Sequence, residues 1–137
     1  DYVFSWDKML SLQGNTAPYL QYAYARIASI LRKADEDGTA AATGAALELS
    51  APEELALAKQ LLQFGFVLET VLDDYRPNLL CNYLYDLAGV FAKFYEGCPV
   101  LKAEGATRAG RLALCDLTGR VLRQGLDVLG IGVLEQM

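Results

Sequence analysis

Tyrosine is the residue type in this chain that most clearly suggests a binding chemistry. Eight tyrosines occur among 137 residues. Six of them fall into two groups, one near the start of the chain and one past its middle: Tyr19, Tyr22, Tyr24, Tyr83, Tyr85 and Tyr95. A phenol ring can stack on a nucleobase while its hydroxyl meets the base edge, as in proteins that bind single-stranded RNA. Tyrosine more commonly packs at helix interfaces, so the pattern alone leaves both interpretations open.

The turn before the first group is a second candidate for chemistry. Asn15, Thr16 and Pro18 precede Tyr19, and this order is typical of the first turn of a helix. The amino-terminal end of a helix attracts phosphate. Ordinary helix capping explains the same residues without any ligand.

Charge is unevenly distributed along the chain. The net charge is −5, which by itself argues against nucleic-acid binding. Residues 102–123, however, carry five basic side chains and only two acidic ones. Arg120 and Arg123 lie one helical turn apart there and could clamp a phosphate. An ion pair with Asp116 or Asp127 is the equally good alternative.

Several enzyme classes are excluded or disfavoured. The chain has no histidine, which removes the commonest general base and the Ser-His and Cys-His pairs. The adjacent acids Asp73 and Asp74, like Glu53 and Glu54, would point about 100° apart on a helix and would not converge. No nucleotide-binding or metalloprotease motif is present. We therefore expect no catalytic residues in this chain.

The three cysteines give no sign of a metal site or a disulfide framework. They lie at 81, 98 and 115, far from any paired spacing and odd in number. We expect reduced thiols in a cytoplasmic protein and no metal. No stretch of about 18 uncharged apolar residues occurs, so we also expect no membrane span.

Helical periodicity runs through most of the chain. We predict helices over 3–12, 17–35 (capped by Thr16), from a capping box of Ser50 and Glu53 to Tyr75 with a kink at 64–66, over 77–96 and over 107–129. We predict a loop over 36–50 and a stop at Gly130 and Gly132. Strand signals are absent. Short connections between amphipathic helices predict one all-α domain over 1–137, an antiparallel helical bundle.

Three stretches carry a family resemblance. Residues 5–30 contain Gly14-Asn15-Thr16, then Pro-Tyr-Leu-Gln-Tyr-Ala, then Ala25-Arg26, and this order resembles the entry to the anticodon-binding domain of arginyl-tRNA synthetases. Residues 80–101 and 111–137 are similar to the later helices and the Met-ended tail of the same family. Gly132 departs from the family pattern, where proline is frequent.

The resemblance implies a helical bundle of the type shared by class I synthetases, attached behind a catalytic domain. That catalytic domain would join arginine to its tRNA with ATP and Mg²⁺. Its signatures are missing here, so we expect a fragment that holds no cofactor. The expected partners are the anticodon loop of arginine tRNA and the upstream catalytic domain, with the chain a monomer.

The resemblance also assigns residues. By position, Tyr19, Tyr22, Tyr95 and Met137 are expected at the anticodon loop. Physical reasoning adds Asn15 and Gln21 for base edges, Arg26 for phosphate or for ordering the bundle, and Arg120 and Arg123 for phosphate. A bundle that docks to other proteins is the competing hypothesis, since leucine-rich helices and acidic charge fit it. A carboxylate-based enzyme is a poor third.

Overall fold

The computed structural model describes residues 3–38 and 48–137, and these form helices without a β-strand. The helices are α1 (Trp6–Met9), α2 (Ala17–Glu36), α3 (Pro52–Leu62), α4 (Phe64–Asp74), α5 (Pro77–Gly97) and α6 (Gly105–Val128). The predicted all-α class is confirmed. The predicted loop over 36–50 lies mostly outside the described residues; Glu36 still belongs to α2, and residues 48–50 have no regular structure.

The first helix is much shorter than the predicted 3–12. It has four residues, none of them buried, and Val3 and Leu10 around it are 80% and 65% exposed. A short helix is marginal in water unless it packs against something. The apolar side chains of residues 3–12 are not buried by the part of the chain that the structure describes. Their spacing therefore did not predict the length of α1.

Helix α2 begins as predicted. Thr16 is its N-cap, and the Thr16 hydroxyl oxygen accepts a hydrogen bond from the Tyr19 N–H at 3.2 Å. The same hydroxyl donates to the Ser11 carbonyl at 2.6 Å, which ties the preceding segment to the helix. Pro18 lies in the first turn, where a missing N–H costs nothing.

The capping box predicted for α3 is off by one residue. The helix begins at Pro52, so its third residue is Glu54 and not Glu53. The Glu54 carboxylate accepts from the N–H groups of Ser50 (2.8 Å) and Ala51 (3.0 Å). It also accepts from Arg111 Nε of α6 at 2.6 Å, and so joins two distant parts of the chain.

In the Glu54–Arg111 ion pair, the carboxylate is buried and the Arg111 side chain is slightly exposed. The Glu54 side chain is 1% exposed, and Arg111 donates a further hydrogen bond to the Pro99 carbonyl at 2.8 Å. Burial works to raise the pKa of Glu54, but the Arg111 guanidinium and the two backbone N–H groups outweigh burial, so that the pKa lies below its ordinary value. A buried carboxylate with this many donors is stabilised in its charged form.

Helices α3 and α4 are separated at Gln63, one residue before the predicted kink. Together, Pro52–Asp74 span 23 residues with a mean hydropathy of 1.4 over an 18-residue window, enough by length and composition to cross a membrane. One such segment is weak evidence, because length and composition alone select it; 11% of the window is buried, with Leu57 and Leu61 of α3 in the core of the bundle. The expectation of no membrane span stays a prediction.

The core lies between α2, α3, α5 and α6. Its most deeply buried aliphatic side chains come from three of these helices: Leu57, Leu84, Leu87, Leu122 and Leu126. Tyr83 stacks near Phe64 with ring centroids 5.9 Å apart and donates to the Gln60 carbonyl at 2.8 Å. Burial raises the pKa of Tyr83 to about 12, so this tyrosine is a core residue.

The ends of α5 and α6 agree with the sequence to within about two residues. Pro77 opens α5, and α5 ends at Gly97 with Cys98 as its C-cap. Helix α6 starts at Gly105, two residues earlier than predicted, and Leu129 is its C-cap. Gly130 then adopts φ +75°, a left-handed conformation that glycine adopts easily. This turn sends the remaining residues back along the bundle.

Candidate nucleic-acid interface

Residues 130–137, called the tail below, lie against α2. Gln21 Nε2 donates to the Gly132 carbonyl at 2.7 Å. The Tyr24 hydroxyl donates to Glu135 Oε1 at 3.2 Å, and Arg32 Nη1 donates to the Glu135 carbonyl at 2.9 Å. Three α2 side chains thus bind a segment more than 100 residues away in sequence.

The course of the tail brings Met137 to the side of α2. Met137, Tyr22, Arg26 and Arg32 line one shallow surface depression. Tyr22 is 48% exposed and Met137 is 57% exposed. An aromatic face, two guanidinium groups and a thioether are therefore available side by side to a ligand.

Tyr95 of α5 joins the same surface through Arg26. The Arg26 guanidinium carbon lies 4.9 Å from the centroid of the Tyr95 ring, within the range of a cation–π contact. Tyr95 also stacks on Phe91, with centroids 6.1 Å apart and planes 17° apart. The half-buried Tyr95 ring is thereby held in place. Tyr22, Arg26, Tyr95 and Met137 are called the Arg26 surface below.

Asn15 and Tyr19, both predicted site residues, contact α5. Asn15 Nδ2 donates to Asn82 Oδ1 at 3.0 Å. The Tyr19 ring lies 5.4 Å from the Tyr85 ring, centroid to centroid. Burial, and then the proximity of Tyr85, raise the pKa of the half-buried Tyr19. These two residues stand at the beginning of α2, before Tyr22 on the same helix.

Arg120 and Arg123 line a neighbouring groove between α2 and α6, together with Tyr24, Arg32 and Glu135. Arg120 is paired with Asp116 at 2.9 Å, and its side chain is 74% exposed, so the ion-pair alternative is realised for this residue. Its phosphate role stays a prediction, because an exposed ion pair is weak and exchanges partners easily. Arg32 borders both this groove and the depression beside Met137.

Arg123 lies close to the Tyr24 hydroxyl. Burial, and then the Glu135 carboxylate that accepts its hydrogen bond, raise the pKa of Tyr24, and the Arg123 guanidinium partly offsets this. The Tyr24 ring itself is 8% exposed. Arg123 and Glu135 therefore form a charged rim over a buried phenol.

The structure assigns Gln21 a contact that the sequence did not indicate. Its amide nitrogen is engaged by the Gly132 carbonyl, so that Gln21 holds the tail. Its role at a base edge stays a prediction. Tyr24, Arg32 and Glu135 belong to the same arrangement and were absent from the expected site.

A signal for the missing residues does exist in the sequence. Positions 21, 24, 28 and 32 follow the spacing of one helix face, and positions 22, 26 and 29 follow the spacing of the adjacent face. Periodicity shows that each set shares a side of α2. It cannot show that the tail lies against one of these sides, because that pairing is set by the turn at Gly130.

Within residues 3–38 and 48–137, no group of three or more histidine, cysteine, aspartate or glutamate side chains is placed to hold a metal ion. Cys98 and Cys115 are buried, and Cys81 is partly buried. Burial raises the pKa of Cys115 to about 12, with a smaller effect from Asp116. The chemistry that this surface offers is stacking, cation–π contact and hydrogen bonding.

Fold and surface together define an all-helical binding module. The chain belongs to the DALR anticodon-binding domain family, whose model matches residues 20–137. The resemblance found in the sequence is confirmed by this match.

Relatives of this chain are arginine–tRNA ligases. The ligase of Synechocystis sp. is 58% identical over the whole chain, which covers 23% of that relative. The ligase of Mannheimia succiniciproducens is 55% identical over the whole chain, which covers 24% of it. The chain therefore spans about a quarter of the length of the curated relatives it matches.

Solved structures of arginyl-tRNA synthetases share the fold. The Thermus thermophilus enzyme matches with a TM-score of 0.82 and 38% identity, over 93% of this chain and 22% of the enzyme. The Plasmodium falciparum enzyme matches with a TM-score of 0.83 and 31% identity, over 100% of this chain and 24% of the enzyme. The predicted bundle type is confirmed by these likenesses.

Proposed function

We propose that this chain is the part of an arginine–tRNA ligase that recognises the anticodon loop of arginine tRNA. Aminoacylation, with its ATP and Mg²⁺, takes place in another domain of the ligase, and this chain contributes no catalytic group. The observation that carries the proposal is the Arg26 surface, where Tyr22, Arg26, Tyr95 and Met137 from two helices and the tail lie together.

Each member of the Arg26 surface suits an unstacked loop base. The exposed ring of Tyr22 offers a stacking face. The Arg26 guanidinium over Tyr95 offers a second, since bases stack on guanidinium planes as well as on aromatic rings, and a stacked base contributes on the order of 1–3 kcal/mol. Arg26 can meet a phosphate or a base edge while its plane stays on Tyr95. The thioether of Met137 adapts its shape to an apolar base face.

Local charge supports the proposal despite the net charge of −5. The depression that Tyr22 and Met137 line carries Arg26 and Arg32 and, among the described residues, no acidic side chain. In the adjoining groove, three arginines are balanced by Asp35, Asp116 and Glu135. Arg26 and Arg32 would attract the RNA backbone, and RNA contacts of this kind weaken as salt rises. Arg120, Arg123, Asn15 and Tyr19 are proposed as further contacts along the path of the RNA.

Helix α4 supports a second and compatible role. None of its residues is buried, and four apolar side chains in or beside it are exposed by 66–89%: Leu62, Phe66, Leu72 and Tyr75. Exposed large apolar side chains along one segment favour contact with protein. We propose contact with the catalytic domain of the same ligase, which would be a cytoplasmic monomer.

A salt titration of tRNA binding tests the proposed function. The affinity of the chain for arginine tRNA is measured against salt, beside the same tRNA with a changed anticodon loop. We expect binding that weakens linearly on logarithmic axes as salt rises, and clearly weaker binding of the altered tRNA. Equal affinity for both tRNAs at every salt concentration would contradict the proposal.

A further inference from the structure

The tail is held by three side chains of α2. Gln21, Tyr24 and Arg32 donate hydrogen bonds to it at two points, Gly132 and Glu135. The three donors are spaced so that they share one side of α2. The tail is thus fixed along about three turns of the helix, and not at a single contact.

Without these contacts the tail has little to order it. Residues 130–137 form no helix or strand, and two of the first three are glycines. Ile131 and Val133 pack partly against the core, which fixes the first half of the tail. The second half depends on Glu135, whose carboxylate and carbonyl each accept one α2 hydrogen bond.

We propose that Gln21, Tyr24 and Arg32 are positioning residues for anticodon recognition. They fix the tail on α2 so that the Met137 side chain lies beside Tyr22 and Arg26. This inference rests on the proposed function and deepens it, because it assigns discrimination between anticodon loops partly to contacts within the protein.

Tyr24 is the sharpest place to test the inference. Its ring is buried and only its hydroxyl reaches Glu135, so RNA cannot stack on it. Tyr24→Phe keeps the packing of the ring and removes the donor. Tyr75→Phe is the matched control, since Tyr75 is 89% exposed at the end of α4. Gln21→Leu provides a second variant, and Gln63→Leu between α3 and α4 is its control.

The two methionines of this chain allow the tail to be observed directly. In a sample labelled with ¹³C at the methionine methyl groups, only Met9 and Met137 give signals. We expect Tyr24→Phe and Gln21→Leu to shift the Met137 signal and increase its mobility while Met9 is unchanged. The control variants should leave both signals unchanged, and an unchanged thermal melt shows that the bundle is intact.

The same samples are then used to bind arginine tRNA and the anticodon-altered tRNA. We expect Tyr24→Phe to lower the preference for arginine tRNA by about threefold to tenfold, the effect of one lost hydrogen bond. A mobile Met137 with undiminished preference would overturn the inference, and so would a Met137 signal that neither variant moves. Equal binding of both tRNAs by the unaltered chain would instead overturn the proposed function and, with it, any role of the tail in recognition.

Discussion

Arg26 of α2 lies over the ring of Tyr95 of α5, with 4.9 Å between the guanidinium carbon and the ring centroid. This contact links two helices through residues that are 69 positions apart in the sequence. It also places a cation on a ring that Phe91 supports from its own helix. The ring at the centre of the proposed interface is therefore fixed before any ligand arrives, and fixed rings lose less entropy on binding.

The first prediction concerns this ring. Tyr95→Leu removes the ring that holds Arg26 in the stacked arrangement and should weaken binding of arginine tRNA about tenfold or more. Tyr95→Phe keeps the ring under Arg26 and should bind within about twofold of the unaltered chain, because an aromatic ring without the hydroxyl still holds the cation. Fluorescence anisotropy with labelled tRNA measures both. If Tyr95→Phe lost as much affinity as Tyr95→Leu, the stacking role would be wrong.

The second prediction concerns the contact between Gly125 of α6 and Leu84 of α5. A Cβ atom added at Gly125 would lie 2.6 Å from Leu84 Cδ2 and 2.9 Å from Leu84 Cδ1. Gly125→Ala should therefore destabilise the bundle by about 1–3 kcal/mol. Gly89→Ala is the control, since a Cβ there meets nothing within 4 Å, and it should stabilise α5 by up to about 1 kcal/mol. Urea unfolding distinguishes the two, and equal effects would contradict the packing described.

The third prediction concerns acid. The pKa of Glu54 in the folded chain lies below its ordinary value of 4.5. The charged carboxylate therefore stabilises the fold fully above about pH 4.5, and this contribution is lost as the pH falls through the lower folded-state pKa. The free energy of unfolding, measured with urea from pH 7 to pH 3, should decline below about pH 4.5.

Glu54→Gln tests the source of this acid dependence. It should cost about 3 kcal/mol at neutral pH, because Arg111 loses its charged partner, and it should flatten the decline below pH 4.5. Glu53→Gln, its neighbour in the first turn of α3, should change stability by less than about 0.5 kcal/mol. An undiminished acid slope in Glu54→Gln would show that other carboxylates cause it.

The fourth prediction concerns the thiols. Cys81 is partly accessible, whereas Cys98 and Cys115 are buried, and burial raises the pKa of both buried thiols. Because the thiolate is the reactive form, iodoacetamide at pH 8 should modify Cys81 first. Mass spectrometry of peptides follows the order of labelling. Rapid modification of Cys115 in the folded chain would contradict its place in the core.

Much of the fold was predictable because its signals are local. Thr16 and Pro18 mark the start of α2, Pro77 marks the start of α5, and Gly130 marks the end of α6. Each acts through its own backbone conformation, or through a hydrogen bond to a residue three positions further along the chain. The length of α1 was not predictable in this way, because it depends on what the apolar side chains pack against.

The sequence indicated several residues of the candidate site, but it did not indicate how they are arranged in space. Motif resemblance indicated Tyr22, Tyr95 and Met137 by position, and physical reasoning added Arg26. It did not indicate Tyr24, Arg32 and Glu135, whose contacts join residues about 100 positions apart. The sequence did not indicate the Glu54–Arg111 pair for the same reason. A one-residue error in the predicted start of α3 assigned the capping role to Glu53 and not to Glu54. Contacts across the bundle depend on helix packing, which one sequence does not display.

The measurement that most directly tests the central claim is nucleotide-resolved protection of arginine tRNA from hydroxyl-radical cleavage. With the unaltered chain, we predict protection concentrated in the anticodon loop, and the loss of that protection with Tyr95→Leu. Protection spread evenly along the tRNA, or confined to its acceptor end, would contradict the claim that the Arg26 surface receives the bases of the loop.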